Sequence, residues 1–252
     1  MALVKRFSTI LIIIASLLAA GPSQARHRPG GSSADTGGSA AATGDFDYYL
    51  LSLSVAPSFC ALSAKNAAKE ECRSLTEADF QQTPLTVHGL WPNRARVSVN
   101  RQPHDCEGAP FGALSDPVQT ALRRYMPGGP GLERYEWRKH GACSGLSPES
   151  YFGSVARLAQ HANETIGAAM RSKGILGHTL VITDLLAAVN PALAAAIVVD
   201  CQQPRGGGGS LVDEIRIVLS KDLEPMPASS VGLGQNSGCA GGRGLVADVG
   251  RR

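Results

Sequence analysis

Two histidines, His88 and His140, each stand in a run of residues that makes chemical sense around a phosphodiester. The first run is His88-Gly89-Leu90-Trp91-Pro92, and the second is Glu136-Trp137-Arg138-Lys139-His140-Gly141-Ala142-Cys143. An imidazole has an unperturbed pKa of about 6.5, so it can accept or donate a proton near neutrality. Two of them can serve as base and acid on opposite sides of one phosphorus. Taken as a helix, the second run puts Glu136, Lys139, His140 and Cys143 on one stripe, because residues three and four apart share a face. Such a stripe gathers a carboxylate, an ammonium and an imidazole, the rigid polar set that a charged transition state needs. In the first run, Gly89 permits a sharp turn or close approach, and Trp91 offers a flat ring on which a base can stack.

The elements that must position these residues are legible in outline. Phe46 to Val55 reads as a strand ending at Pro57. Leu85-Thr86-Val87-His88 alternates, with Leu85 and Val87 on one side and Thr86 and His88 on the other. Ser115-Asp116-Pro117 and Ser147-Pro148-Glu149 are helix starts, the second followed by an apolar stripe of Phe152, Val155, Ala159, Ala162, Ile166 and Met170 that ends near Gly174. Thr183-Asp184 opens a short helix that stops near Pro191, and Ile197 to Cys201 and Leu211 to Ser220 read as late strands. Helices and strands do not alternate cleanly, which favours an α+β fold over a parallel α/β sheet.

Residues 1–25 read as a secretory signal peptide: basic Lys5 and Arg6, an apolar run from Phe7 to Ala20, and small residues at Ser23 and Ala25. Residues 26–44 form a Gly-, Ser- and Ala-rich tail, and 45–252 is long enough for one domain with a substantial core. The chain has 24 Lys and Arg against 21 Asp and Glu; losing Lys5 and Arg6 with the leader reduces the net charge to +1. Attraction to phosphate must then be local, from Arg94, Arg96 and Arg101 after the first run or from Arg134, Arg138 and Lys139 in the second. Gly206-Gly207-Gly208-Gly209-Ser210 lacks the Gly-Lys-Ser/Thr ending of a phosphate-binding loop.

Six cysteines remain after leader removal, an even number in an exported chain, and three disulfides are the default. Six cysteines allow 15 pairings. Proximity along the chain favours Cys60–Cys72 and Cys201–Cys239, leaving Cys106–Cys143. Nothing has zinc spacing, so no metal site is expected. His104, His161 and His178 read as structural or surface residues, and Asn163-Glu164-Thr165 is a glycosylation sequon that matters only in a eukaryotic secretory path.

The two histidine runs carry a resemblance to a known family. The sequence resembles the ribonuclease T2 family of secreted acid endoribonucleases, whose two active-site segments, His-Gly-Leu-Trp-Pro and Glu-Trp-x-Lys-His-Gly-x-Cys, are matched at 88–92 and 136–143. Phe46-Asp47-Tyr48-Tyr49 is similar to the family's first strand. The resemblance implies a central antiparallel sheet flanked by helices. It also implies cleavage of single-stranded RNA through the ribose 2′-hydroxyl, to 2′,3′-cyclic phosphates and then 3′-phosphates, with low base specificity and without metal or other cofactor. Carried over by position, His140 is the base, His88 the acid, Lys139 and Glu136 the transition-state supports, and Trp91 the stacking platform, with Asn93 beside the base. Many members have a histidine before the motif's glutamate; here it is Tyr135, which takes over a phosphate contact or loses it. Ser54-Val55-Ala56-Pro57 departs from the family's Gln-Trp-Pro.

The protein is thus expected to be a periplasmic or secreted monomer without membrane association once its leader is removed. Two alternatives belong to other classes: a catalytically weak RNA-binding or interaction protein on the same scaffold, and a hydrolase using Ser144 beside His140, although no Gly-x-Ser-x-Gly elbow is present.

Overall fold

Four long strands carry the molecule, and their two faces do different work. The computed structural model describes residues 43–250, so the proposed leader and the tail up to residue 42 lie outside the described residues. In chain order the elements are β1 (Tyr48–Val55), the short helices α1 (Ala56–Ala61), α2 (Ala64–Ala67), α3 (Glu70–Arg73) and α4 (Glu77–Gln82), then β2 (Leu85–Asn93). Next come α5 (Asp116–Tyr125), α6 (Gly129–Lys139), α7 (Pro148–Ala162), α8 (Ala168–Ser172), β3 (Thr179–Val181), α9 (Ile182–Leu186) and α10 (Pro191–Ala196). The chain closes with β4 (Ile197–Gln202), β5 (Leu211–Leu219), β6 (Asn236–Ser237) and β7 (Arg243–Leu245). The fold is α+β: β2-β1-β5-β4 is antiparallel throughout, with β6 added parallel to β4, and β7 pairing antiparallel with β3 and parallel with β5.

One sheet face is the main core. Leu51, Leu53 and Val55 of β1, Leu85 and Val87 of β2, and Ile215 and Ile217 of β5 pack there with Leu122, Phe152, Val155, Ala159 and Ile166 from the helices. The other face splits in two. Tyr48, Leu50, Val198 and Val218 make a small second core with Ala228 and Val231. Farther along the strands the cross-strand neighbours become Ser52, Ser54, Glu214, Arg216 and Asp200, a polar strip in the same sheet. Both faces of β1 are covered, so every residue from Tyr48 to Val55 is buried and alternation is hidden in the sequence.

Three disulfides join Cys60 to Cys72, Cys106 to Cys143 and Cys201 to Cys239. The second ties the segment after His140 to the loop holding His104 and Asp105, and Gly44 N–H donates to the Cys143 carbonyl at 2.9 Å.

Several sequence expectations need correction. The run 136–143 is not one helix: α6 ends at Lys139, His140 leaves helical geometry with φ −132° and ψ −48°, and Gly141–Ser144 is a 3₁₀ turn. Pro191 does not stop a helix but starts α10, at the first helical position, where its missing N–H costs nothing. The four helices between Ala56 and Gln82 are each only four to six residues long, too short to show a periodicity. Asn163 is no accessible sequon, being only 6% exposed.

Asn163 instead docks the strand that carries His88. Its Oδ1 accepts from Leu85 N–H at 3.1 Å, and its Nδ2 donates to the Leu85 carbonyl at 2.8 Å and the Ala159 carbonyl at 2.9 Å. A π-helical turn, Asn163–Gly167, interrupts the helix at this residue. Leaving a buried donor or acceptor unpaired costs about 1–3 kcal/mol. Asn163→Ala is therefore expected to lower the unfolding free energy by about 1–3 kcal/mol in urea titrations, whereas the exposed neighbour change Glu164→Ala should leave it nearly unchanged.

Candidate active site

An extra residue in β2 aims His88. Ser52 pairs with Gly89 and Leu53 with Val87, so His88 is the unpaired residue of a β-bulge. A bulge bends its strand and redirects a side chain. Val87 keeps its place in the main core while His88 joins Ser54, Glu214 and Arg216 on the polar strip, with its side chain 42% exposed. There His88 Nδ1 lies 2.6 Å from Glu214 Oε1. Glu214 Oε2 accepts from Arg216 Nε at 2.7 Å, and Arg216 Nη2 donates to Asp200 at 3.1 Å. Nδ1 bears a proton toward the carboxylate, which leaves Nε2 free to face a reactant.

The C-terminal end of α6 meets this bulge at Gly89. Glu136 is 1% exposed; its Oε2 accepts from Trp91 Nε1 at 2.9 Å and its Oε1 lies 4.0 Å from His88 Nε2. A methyl on residue 89 would overlap both Glu136 Oε2 and Trp91 Nε1, so only glycine lets the bond pass over the strand. Trp91 stands in contact with both imidazoles, its ring 5.1 Å from His88 and 5.3 Å from His140 between centroids. Trp137 points the other way, 3% exposed against Tyr151 and Phe152, and anchors α6 in the main core. Tyr151 in turn donates from its hydroxyl to the Leu90 carbonyl at 2.6 Å, fixing the backbone just beyond the bulge.

The surroundings push the two histidines apart in basicity. For His88, burial favours the neutral ring, but the Glu214 bond and the charges of Glu214, Glu136 and Asp213 outweigh it and raise the pKa above 6.5. For His140, burial, then Lys139 and the His88 charge, bring the pKa down to about 4. Burial would raise Glu214, yet the His88 bond and charge and Arg216 hold it well below the usual carboxylate range. Burial raises Glu136, partly offset by the Trp91 bond and the His88 charge. One imidazole therefore starts charged and its neighbour neutral, the division needed by an acid and a base working together.

Two cavities open at the pair. His88 lines one of about 710 Å³ with Ser54, Thr86, Arg123 and Arg124. His140, Lys139, Trp91, Asn93, Tyr48 and Gln102 line another of about 890 Å³. Asn93 also reaches the Tyr48 hydroxyl, at 3.4 Å. Lys139 is held by Asp105 at 2.5 Å, and Asp105 also contacts His104 at 2.8 Å. Tyr135 lines neither cavity: it is 47% exposed on α6 with the Arg138 guanidinium over its ring. Ser144 is buried and donates to the Gly141 carbonyl at 2.6 Å while accepting from Leu146 N–H, which engages its hydroxyl away from any substrate.

Sequence reasoning brought His88, Glu136, Lys139, His140, Trp91 and Asn93 to one region but missed Glu214, Arg216 and Asp105. A signal for the first existed: Asp213-Glu214 and Arg216 interrupt an otherwise apolar strand, and buried charges need a partner.

Comparisons with known proteins give the family and the fold to which the chain is similar. The model of the ribonuclease T2 family matches residues 46–228. Ribonuclease I of Escherichia coli (strain K12) is 31% identical over 219 residues, 74% of this chain and 80% of that protein. A ribonuclease of Aeromonas hydrophila is 32% identical over 120 residues, 46% of each chain. Among solved structures, the self-incompatibility associated SF11-RNase of Nicotiana alata superposes with a TM-score of 0.60 at 19% identity, covering 81% of this chain and 100% of that one. A variant of RNase MC1, a bitter gourd seed ribonuclease, in complex with 5′-GMP gives 0.58 at 18% identity, covering 79% and 100%.

The Gly89 contact is testable by stability alone. Gly89→Ala should cost about 1–3 kcal/mol through overpacking and a broken buried hydrogen bond. Gly153→Ala in α7, where a methyl meets only Val118 at 3.8 Å, should be neutral or stabilising by up to about 1 kcal/mol. Urea midpoints of the two variants distinguish close approach from a general intolerance of substitution.

Proposed function

The chain belongs to the ribonuclease T2 family and is an endoribonuclease, and on that premise we propose that it cleaves single-stranded RNA by metal-independent transphosphorylation. The observation that carries this reading is the pair of imidazoles around Trp91, one paired with a buried carboxylate and the other lying beside Lys139. With the scissile phosphate between them, neutral His140 removes the proton of the ribose 2′-hydroxyl. The 2′-oxygen attacks phosphorus, the bond from phosphorus to the 5′-oxygen breaks, and His88 Nε2 gives its proton to that oxygen. The products are a 2′,3′-cyclic phosphate and a free 5′-hydroxyl. Water then opens the ring with the roles reversed, leaving a 3′-phosphate. The substrate supplies its own nucleophile, so no metal-bound water is called for, and DNA is not cut.

Lys139 stabilises the extra negative charge on the pentacoordinate phosphorane, exchanging its bond to Asp105 for one to phosphate. Glu136, held by Trp91, supports the transition state by orienting Trp91 and by the charge that keeps His88 protonated. Trp91 and Asn93 line the cavity beside His140 and receive the base upstream of the cut; stacking tolerates any base, which supports low base specificity. Tyr135, exposed beneath Arg138, contributes at most through phosphates at the rim. The signal peptide at 1–25, the tail at 26–44 and a domain at 45–252 complete the proposal of a periplasmic or secreted monomer. Three disulfides support an oxidising destination.

His88→Ala and His140→Ala should each lower kcat/KM on RNA by at least about 10²-fold in the presence of EDTA. Near-native cleavage by either variant contradicts the assignment. For the unaltered enzyme, kcat/KM should fall as pH drops through about 4, where His140 is protonated, and again above 6.5, where His88 loses its proton. Cleavage of defined oligonucleotides should leave cyclic phosphate ends first.

A further inference from the structure

We propose that Glu214 is a positioning residue that fixes the tautomer and orientation of His88 and holds it as the proton donor, with Arg216 and Asp200 keeping Glu214 in place. The inference rests on the reading above, in which His88 protonates the leaving oxygen. Glu214 is 4% exposed, sits on β5 two strands away from His88, and has one oxygen on each of two donors: Oε1 on His88 Nδ1 at 2.6 Å and Oε2 on Arg216 Nε at 2.7 Å. Arg216 is pinned on its far side by Asp200 at 3.1 Å. The carboxylate can therefore neither rotate away nor be replaced by water without breaking two charge-assisted bonds. Because Nδ1–H is committed to Glu214, the reacting proton is the one on Nε2. It passes to the 5′-oxygen as that bond breaks, while Nδ1–H stays on the ring and Glu214 remains ionised.

The bulge explains why a glutamate in β5 is needed at all. His88 is the residue of β2 without a backbone partner opposite it, so the ladder does not hold it as it holds Val87 and Gly89. Its side chain is 42% exposed, and the indole of Trp91 touches it only edge-on. Glu214 is the only side chain within hydrogen-bond reach of its ring among the described residues. The charged groups facing His88 are Glu214, Asp213 and Arg216 from β5, Asp200 from β4, Glu136 from α6, and His140 with Lys139 at the end of that helix. Of these, only Glu214 makes direct contact.

The test compares two leaving groups. On a dinucleoside monophosphate, whose leaving alkoxide must be protonated, Glu214→Gln should lower kcat at least about tenfold with little change in KM, within the roughly 10²–10⁴-fold that a positioned acid supplies. On a uridine 3′-(p-nitrophenyl phosphate), whose phenolate departs without a proton, most of that loss should vanish, as it should for His88→Ala. The alkaline limb of the pH profile should move to lower pH in Glu214→Gln, and also, by less, in Arg216→Gln, which leaves the carboxylate free to turn away from His88. A purely structural role moves neither limb and depresses both substrates equally; that result overturns the proposal. If Glu214→Gln does not fold, the limb of Arg216→Gln decides: a shift to lower pH supports the proposal, and a limb that stays or moves to higher pH refutes it. The two readings fail separately. An active His88→Ala on the dinucleoside removes the acid itself, whereas an inactive His88→Ala beside an unaffected Glu214→Gln removes only the positioning role.

Discussion

The bond from Trp91 to Glu136 across the face of Gly89 is the contact on which the site depends. It joins the only two segments that carry the reactive histidines, one at the bulge of a strand and one at the end of a helix. A buried carboxylate is costly unless it is compensated, and here one oxygen accepts from an indole N–H while the other faces the His88 ring 4.0 Å away. That requirement dictates the rest. Residue 89 has no side chain, the indole must lie over the strand, and α6 must stop where Glu136 can reach it. Trp137 and Tyr151 hold the helix and the strand in that relation from the core side.

From this geometry follows a division of charge. The strand side of the site is acidic, with Glu214, Asp213 and Glu136 around His88, and the helix end is basic, with Lys139 beside His140. Two identical side chains thereby take opposite protonation states at one pH. The full chain carries a net charge of only +3, so global charge gives little attraction to phosphate, and the local fields and the cavities beside Trp91 and His88 are what the site offers a substrate.

The sequence made one part of this legible and hid another. Residue types did the most: both histidine runs, the Trp-Pro step and the six cysteines could be read directly, and the strands β2, β4 and β5 followed from β-branched and aliphatic runs. What depended on three-dimensional register could not be read. The bulge at His88 shifts the phase of the alternation, so that the core positions run Leu85, Val87 and then Leu90, but a phase shift in one strand does not by itself tell a bulge from a strand end. The stripe expected for 136–143 breaks at His140 because Gly141 and the disulfide at Cys143 take the chain out of helical geometry, yet His140 still donates its N–H to the Glu136 carbonyl at 2.9 Å and stays near the site. Asn163 matched a surface sequon and is in fact a buried clamp on Leu85, since a tripeptide pattern says nothing about burial. Glu214 lies 126 residues from His88, and only the order β2-β1-β5 brings them together.

The central claim is that His88 is the acid and His140 the base because their environments set them so before substrate arrives. The most direct measurement is an NMR titration of the free protein with ¹⁵N-labelled histidine, following both ring nitrogens of each imidazole. The account predicts His140 taking up its proton only near about pH 4, and His88 still mostly doubly protonated at pH 6.5 with its Nδ1 proton shifted by a strong hydrogen bond. A titration in which His140 takes up its proton at higher pH than His88 would contradict it.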